Sequence, residues 1–248
     1  MKGTLFSKPL EWNLETIGES WQQGDTLKGI LKVINHGSEP QSLSGLGVAL
    51  AYADIKKVHA RVEGALKHEA SLLFQDSELG AGKEALLNFS FNISPNGTVT
   101  DKKTSYYLGF GKNLSEGQLQ VKVEPKKLYS MIVGLLDTFY RFKIKEIKGT
   151  PKGVEFKLIP PTSRDMANIE TLNLLFSMHE NNLDMTYNFQ IKKLDTASTV
   201  TKICKENITV QKRLSPKEYS LGKDMINQDQ LLRNVESAIA EVKLKRVF

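Results

Sequence analysis

Apolar and polar residues alternate with a period of two along most of this chain, and that pattern constrains it more than any other feature. A period of two places successive side chains on opposite faces of a strand, so each such run is half-buried in a sheet. Between positions 87 and 93 the residues Leu87, Phe89, Phe91 and Ile93 interleave with Asn88, Ser90 and Asn92. The same rule holds for Leu119, Val121 and Val123 and for Leu172, Leu174, Phe176 and Met178. It holds again for Met185, Tyr187, Phe189 and Ile191, and for Tyr140, Phe142 and Ile144 set against Arg141, Lys143 and Lys145. Further strands are expected at 4–7, 27–34, 46–52, 105–110, 154–158 and 208–212. Parallel α/β folds need a helix of about ten residues between most strands, and those helices are missing. Turn chemistry falls where antiparallel strands need it, at Asn35-His36-Gly37-Ser38, Ser94-Pro95-Asn96-Gly97, Gly149-Thr150-Pro151-Lys152-Gly153 and Asn181-Asn182.

Two segments carry helical spacing instead. After Pro125, the residues Leu128, Met131, Ile132, Leu135, Leu136 and Phe139 follow a 3.6-residue repeat, which predicts a helix between two domains. Near the end, Leu231, Leu232, Val235, Ala238, Ile239 and Val242 repeat it, with Asp229 as the expected N-cap. Lys243, Lys245 and Arg246 close that helix where its dipole favours cations. Residues 54–67 fit a helix and a strand equally well. The 248 residues suit two domains of ordinary size. The expected fold is therefore all-β: two antiparallel β-sandwich domains side by side, at 1–125 and 126–248, with a short inter-domain helix and a C-terminal helix.

The order of elements resembles a known family. A near-terminal strand at 3–7 is followed by Gly24-Asp25-x-Leu27-x-Gly29-x-Leu31-x-Val33, then by the strand and proline turn from Leu87 to Pro95. Thr104-Ser105-Tyr106-Tyr107-Leu108-Gly109 and the junction from Leu119 to Pro125 complete the series. This resembles the arrestin fold, in particular the bacterial arrestin-like sporulation-control proteins, most closely over residues 1–140. The resemblance implies a cytoplasmic adaptor or regulatory scaffold that binds and bridges other proteins and is not an enzyme. The phosphate sensor and buried charge cluster of animal arrestins have no positions here, so receptor and phosphate recognition are not implied.

The residue inventory agrees with a binding role. His36, His59, His68 and His179 are scattered, without the close spacing of metal ligands. Cys204 is the single cysteine; Lys202 and Lys205 flank it, but no histidine is near in sequence to serve as a base. There is no Gly-x-Ser-x-Gly elbow, and Gly109-Phe110-Gly111-Lys112 lacks the spacing of a phosphate-binding loop and reads as a β-turn. Sequons at Asn88, Asn96, Asn113 and Asn207 carry no weight in a chain that opens without a signal peptide. No catalytic, metal or cofactor-binding residue is expected, and no cofactor.

Charge keeps other readings open. The net charge is +6, with 13 basic and 14 acidic residues in 1–124 against 21 and 14 in 125–248. The second half could contact an acidic membrane, helped by the tail Lys243-Leu244-Lys245-Arg246-Val247-Phe248. Nucleic acid is disfavoured, because alternation sends Tyr140 and Phe142 to the face opposite Arg141 and Lys143. A glycan-active hydrolase built on a carboxylate pair such as Asp76 and Glu78 is the remaining rival, and a homodimer stays open.

Overall fold

A computed structural model describes residues 1–75, 77–195, 202–222 and 225–244. The chain divides into two compact units, Met1–Glu124 and Pro125–Phe248. The described residues are mostly β, in several antiparallel sheets with four α-helices.

In the first unit the strands are β1 (Lys2–Ser7), β2 (Leu10–Thr16), β3 (Ser20–Gln22), β4 (Thr26–Asn35), β5 (Gln41–Ser42) and β6 (Gly47–Asp54). They continue with β7 (Lys67–Leu73), β8 (Glu78–Leu79), β9 (Glu84–Asn92), β10 (Thr104–Gly111) and β11 (Gly117–Glu124). One sheet has the order β1-β2-β4-β9 and the other β3-β11-β10-β6-β7, with β5 and β8 as a short pair beside them. All neighbours are antiparallel except β3, which runs parallel to β11 at the sheet edge. Trp12, Leu14, Leu31 and Val33 from the first sheet share one core with Val48, Leu50, Tyr106, Leu108 and Phe110 from the second. Sheet packs on sheet, each presenting the apolar half of its alternation.

The ambiguous stretch 54–67 resolves as a short helix followed by turns. Helix α1 (Ile55–His59) starts where the Asp54 carboxylate accepts hydrogen bonds from the backbone N–H groups of Lys56 and Lys57. It sets Val58 into a small cluster with Ala53 and Tyr107, so β10 is covered on its outer face too. Gly109 and Phe110 lie inside β10, and the turn expected there begins only at Lys112.

The second unit consists of α2 (Lys127–Tyr140), β12 (Lys143–Thr150), β13 (Gly153–Ile159), β14 (Ile169–His179), β15 (Asn182–Asp195) and β16 (Lys202–Leu214), then α3 (Pro216–Tyr219), β17 (Ser220–Gly222), β18 (Met225–Ile226) and α4 (Gln228–Leu244). Strands β12 to β16 form one antiparallel meander in chain order. The β14–β15 turn uses positive φ at Glu180 and Asn181, as a tight two-residue hairpin requires.

Among the described residues, helices form the layer facing this sheet, and no second sheet of comparable size is present. The Tyr129 ring of α2 stacks on Phe176 of β14 at 4.9 Å, and Tyr187 of β15 donates a 2.7 Å hydrogen bond to Asn234 of α4. Tyr140 of α2 donates to Glu236 of α4 and ties the two helices together.

Three local expectations are corrected. The buried face of α2 is Tyr129, Ile132, Val133 and Leu136, rotated from the predicted stripe, and Phe139 is exposed. Tyr140 and Arg141 belong to that helix and its left-handed C-cap, so the strand starts at Lys143. The first helical turn of α4 already contains Asp229, while the Asn227 side chain accepts from the Gln230 N–H and takes the cap role. Asp76 and tail residues 245–248 lie outside the described residues.

Candidate functional site

The residues weighed for chemistry remain apart. His59 and His68 are exposed on α1 and β7, and His179 sits at the β14 hairpin, 3.9 Å from Asp184. Among the described residues no three His, Cys, Asp or Glu side chains cluster as metal ligands. Cys204 is exposed on β16 and its thiol donates to the Lys193 carbonyl. Glu78 is exposed on β8.

His36 is different, because the sheet register assembles a cluster around it. Strand pairing sets Phe6 opposite Glu11 and Thr4 opposite Asn13, all pointing away from the core. Thr4 donates to the Asn13 carbonyl oxygen at 3.0 Å, and the Asn13 amide donates to Glu11 at 2.9 Å. The other Glu11 oxygen lies 2.6 Å from His36 Nε2. The Asn13 hydrogen bond, then that of His36, holds the Glu11 carboxyl below the usual carboxylate range.

His36 is placed by its neighbours in the chain. Its N–H donates to the Pro9 carbonyl, while the buried Asn35 amide donates to the carbonyls of Glu39 and Leu79. The imidazole then lies against Phe6, with ring centroids 6.2 Å apart.

Phe6, Lys8, Pro9, Glu11 and His36 line a groove of about 380 Å³. A second groove of about 320 Å³ on the same sheet face runs past Lys2, Asn13, Ile30, Lys32 and Leu86. Phe6 is 67% exposed, Leu86 59% and Ile30 42%. Two ion pairs stand between them, Lys2 with Glu15 at 3.2 Å and Lys32 with Glu84 at 2.5 Å. Apolar side chains standing among neutralised charges are what a protein surface presents to another protein. The sequence pattern could have shown that Glu11, Asn13 and Glu15 share a face, but only the register joins them to Phe6 and His36.

A second polar feature lies at the edge of the other sheet. The β6–β7 register slips between Leu50–Ala70 and Ala51–His68, leaving Glu69 as a bulged residue. The buried Tyr106 hydroxyl reaches both Glu69 carboxylate oxygens at 3.2 Å. Burial pushes the Glu69 carboxyl above its ordinary range, and burial with the adjacent carboxylate raises Tyr106 as well.

The fold is arrestin-like. The chain is similar to the crystal structure of Spo0M, the sporulation control protein from Bacillus subtilis, with a TM-score of 0.64, 13% identity and coverage of 95% of this chain and 99% of that one. Partial matches include a β-glucosidase from Listeria innocua (TM-score 0.30, 13% identity, 46% of this chain and 16% of that one) and the alkylpurine DNA glycosylase AlkC from Pseudomonas fluorescens (0.31, 15%, 47% and 30%). No protein-family model and no curated protein sequence matches the chain. Among the described residues, no helix is long and apolar enough to cross a membrane.

Proposed function

We propose that this chain is a non-catalytic regulatory adaptor that acts in the cytoplasm and binds a protein partner through the outer face of the β1-β2-β4-β9 sheet. The observation that carries this reading is the exposure of Phe6, Ile30 and Leu86 on one sheet face where Lys2, Lys32 and His36 are already paired with carboxylates. Burying such a face costs little desolvation of unpaired charge and gains apolar contact. The arrestin-like fold shared with a sporulation control protein supports a regulatory role. The outer strands β1 and β9 frame the face, and a partner strand could extend either edge.

The test is a pull-down of the tagged chain against the Phe6→Ser/Leu86→Ser variant, at low and at roughly 0.5 M salt, where exposed charges are screened. A stoichiometric protein retained at high salt by the native chain and lost by the variant supports the reading. Recovery of only nucleic acid or acidic lipid, and only at low salt, overturns it in favour of the basic second half.

A further inference from the structure

We infer that the groove at the ends of β13, β14 and β15 binds a small organic anion, one carboxylate or phosphate group carried on an apolar body. The groove measures about 440 Å³, within the range of small-molecule sites, and belongs entirely to the second unit. Its wall is apolar: Ile159 and Pro160 leave β13, Met166 lies in the 3₁₀ turn Arg164–Met166, and Ile169 opens β14. Its polar groups are Thr162, Ser163 and the charged Arg164, Lys192 and Glu170.

The backbone explains why charge collects here. Pairing of β14 with β15 slips between Ile169–Ile191 and Thr171–Gln190, so Glu170 is the extra residue of a bulge, a feature that re-aims side chains. Beyond the bulge the Lys192 N–H still bonds the Asn168 carbonyl, which fixes Lys192 at the groove. One Glu170 oxygen accepts a 2.8 Å hydrogen bond from Lys205 of β16. Lys205, Lys192 and Lys157 all act on this carboxyl and keep it ionised. Its other oxygen is shielded from solvent and has no hydrogen-bond partner, so the bonded oxygen of Glu170 is committed to Lys205.

At the groove Glu170, already bonded to Lys205, stands against Lys192 and the exposed Arg164 guanidinium. A bare inorganic anion would satisfy those cations but leave the wall of Ile159, Pro160 and Met166 wet. A neutral hydrocarbon would cover the wall and leave the cations unanswered. A ligand that joins an acidic head to an apolar body meets both.

The probe is 8-anilinonaphthalene-1-sulfonate, which carries one anionic group on an apolar ring system, titrated by fluorescence into the full chain. Expected are saturable binding, displacement by decanoate but not by the same concentration of inorganic phosphate, and affinity weaker by about tenfold in Arg164→Glu/Lys192→Glu. Both residues are exposed, and a thermal melt verifies folding; Lys192→Met, which keeps the apolar stem, is expected to fall between the two. The Phe6→Ser/Leu86→Ser variant is expected to bind the probe like the native chain, which separates this site from the proposed docking face. Unchanged affinity in the double charge variant, displacement by phosphate as effective as by decanoate, or loss of the probe only in Phe6→Ser/Leu86→Ser overturns the inference.

Discussion

The two units bury the same kind of surface in different ways. Each has an antiparallel sheet with one apolar face, but the first covers it with another sheet and the second with helices α2 and α4. Alternation within a strand therefore says which side chains turn inward and nothing about what they meet. Phe89 and Phe176 sit in similar alternating runs, yet Phe89 packs in a sheet-on-sheet core and Phe176 packs against a helical tyrosine.

The contrast is tested most severely at that tyrosine contact. Phe176 touches Tyr129 in a parallel stack and Phe156 edge-on at 5.5 Å. Phe176→Ala is expected to destabilise the second unit by about 3–5 kcal/mol, read by urea denaturation. A double-mutant cycle of Tyr129→Leu with Phe176→Leu should show coupling of about 1 kcal/mol. Additive effects would mean that α2 is not the cover this sheet depends on.

Glycines give the next largest effect, with opposite signs in the two units. In β10, a Cβ on Gly109 would lie 2.0 Å from the Leu114 carbonyl oxygen, so Gly109→Ala is expected to cost about 1–3 kcal/mol through forced backbone movement. In α2, Gly134 is exposed with open space around its Cβ position, and Gly134→Ala should stabilise by about 0.5–1 kcal/mol through helix propensity. Equal penalties at both sites would contradict the tight approach of β10 to its following turn.

Asp54 follows at about 1 kcal/mol, the usual cost of losing an N-cap, when replaced by Ala and measured by thermal unfolding. This residue also shows what the sequence held. Asp54 before Ile55 is a cap signal, and weighing it against the mixed periodicity of 54–67 would have pointed to the helix. Strand β2 was equally legible, since Leu10, Trp12, Leu14 and Thr16 alternate with Glu11, Asn13 and Glu15, yet it is absent from the strands expected above. The boundary at Tyr140 was not, because Tyr140, Phe142 and Ile144 satisfy strand alternation while tertiary contacts with Glu236 hold Tyr140 in the helix. The Phe6–His36–Glu11 cluster depends on pairing across β1, β2 and β4, and no local pattern encodes a register.

The smallest effect also separates the units by sign. Each has a glutamate at a bulge: Glu69, raised by burial near Tyr106, and Glu170, lowered first by its hydrogen bond from Lys205. For Glu69 the folded state favours the protonated acid. Its stabilising contribution is present below the ordinary carboxylate value and is lost as pH rises through the raised folded value. For Glu170 the folded state favours the ion. That contribution is present above the ordinary value and is lost as pH falls through the depressed one. Relative to the native chain, Glu69→Gln should therefore gain stability as pH rises out of the carboxylate range. Glu170→Gln should be less stable than the native chain near neutrality, with the deficit closing in acid. Urea denaturation of both variants from about pH 3 to 7 reads the two slopes. Slopes of the same sign would show that one of the bulges does not impose the environment assigned to it, because desolvation raises a carboxyl whereas hydrogen bonds to its ionised form and nearby cations lower it.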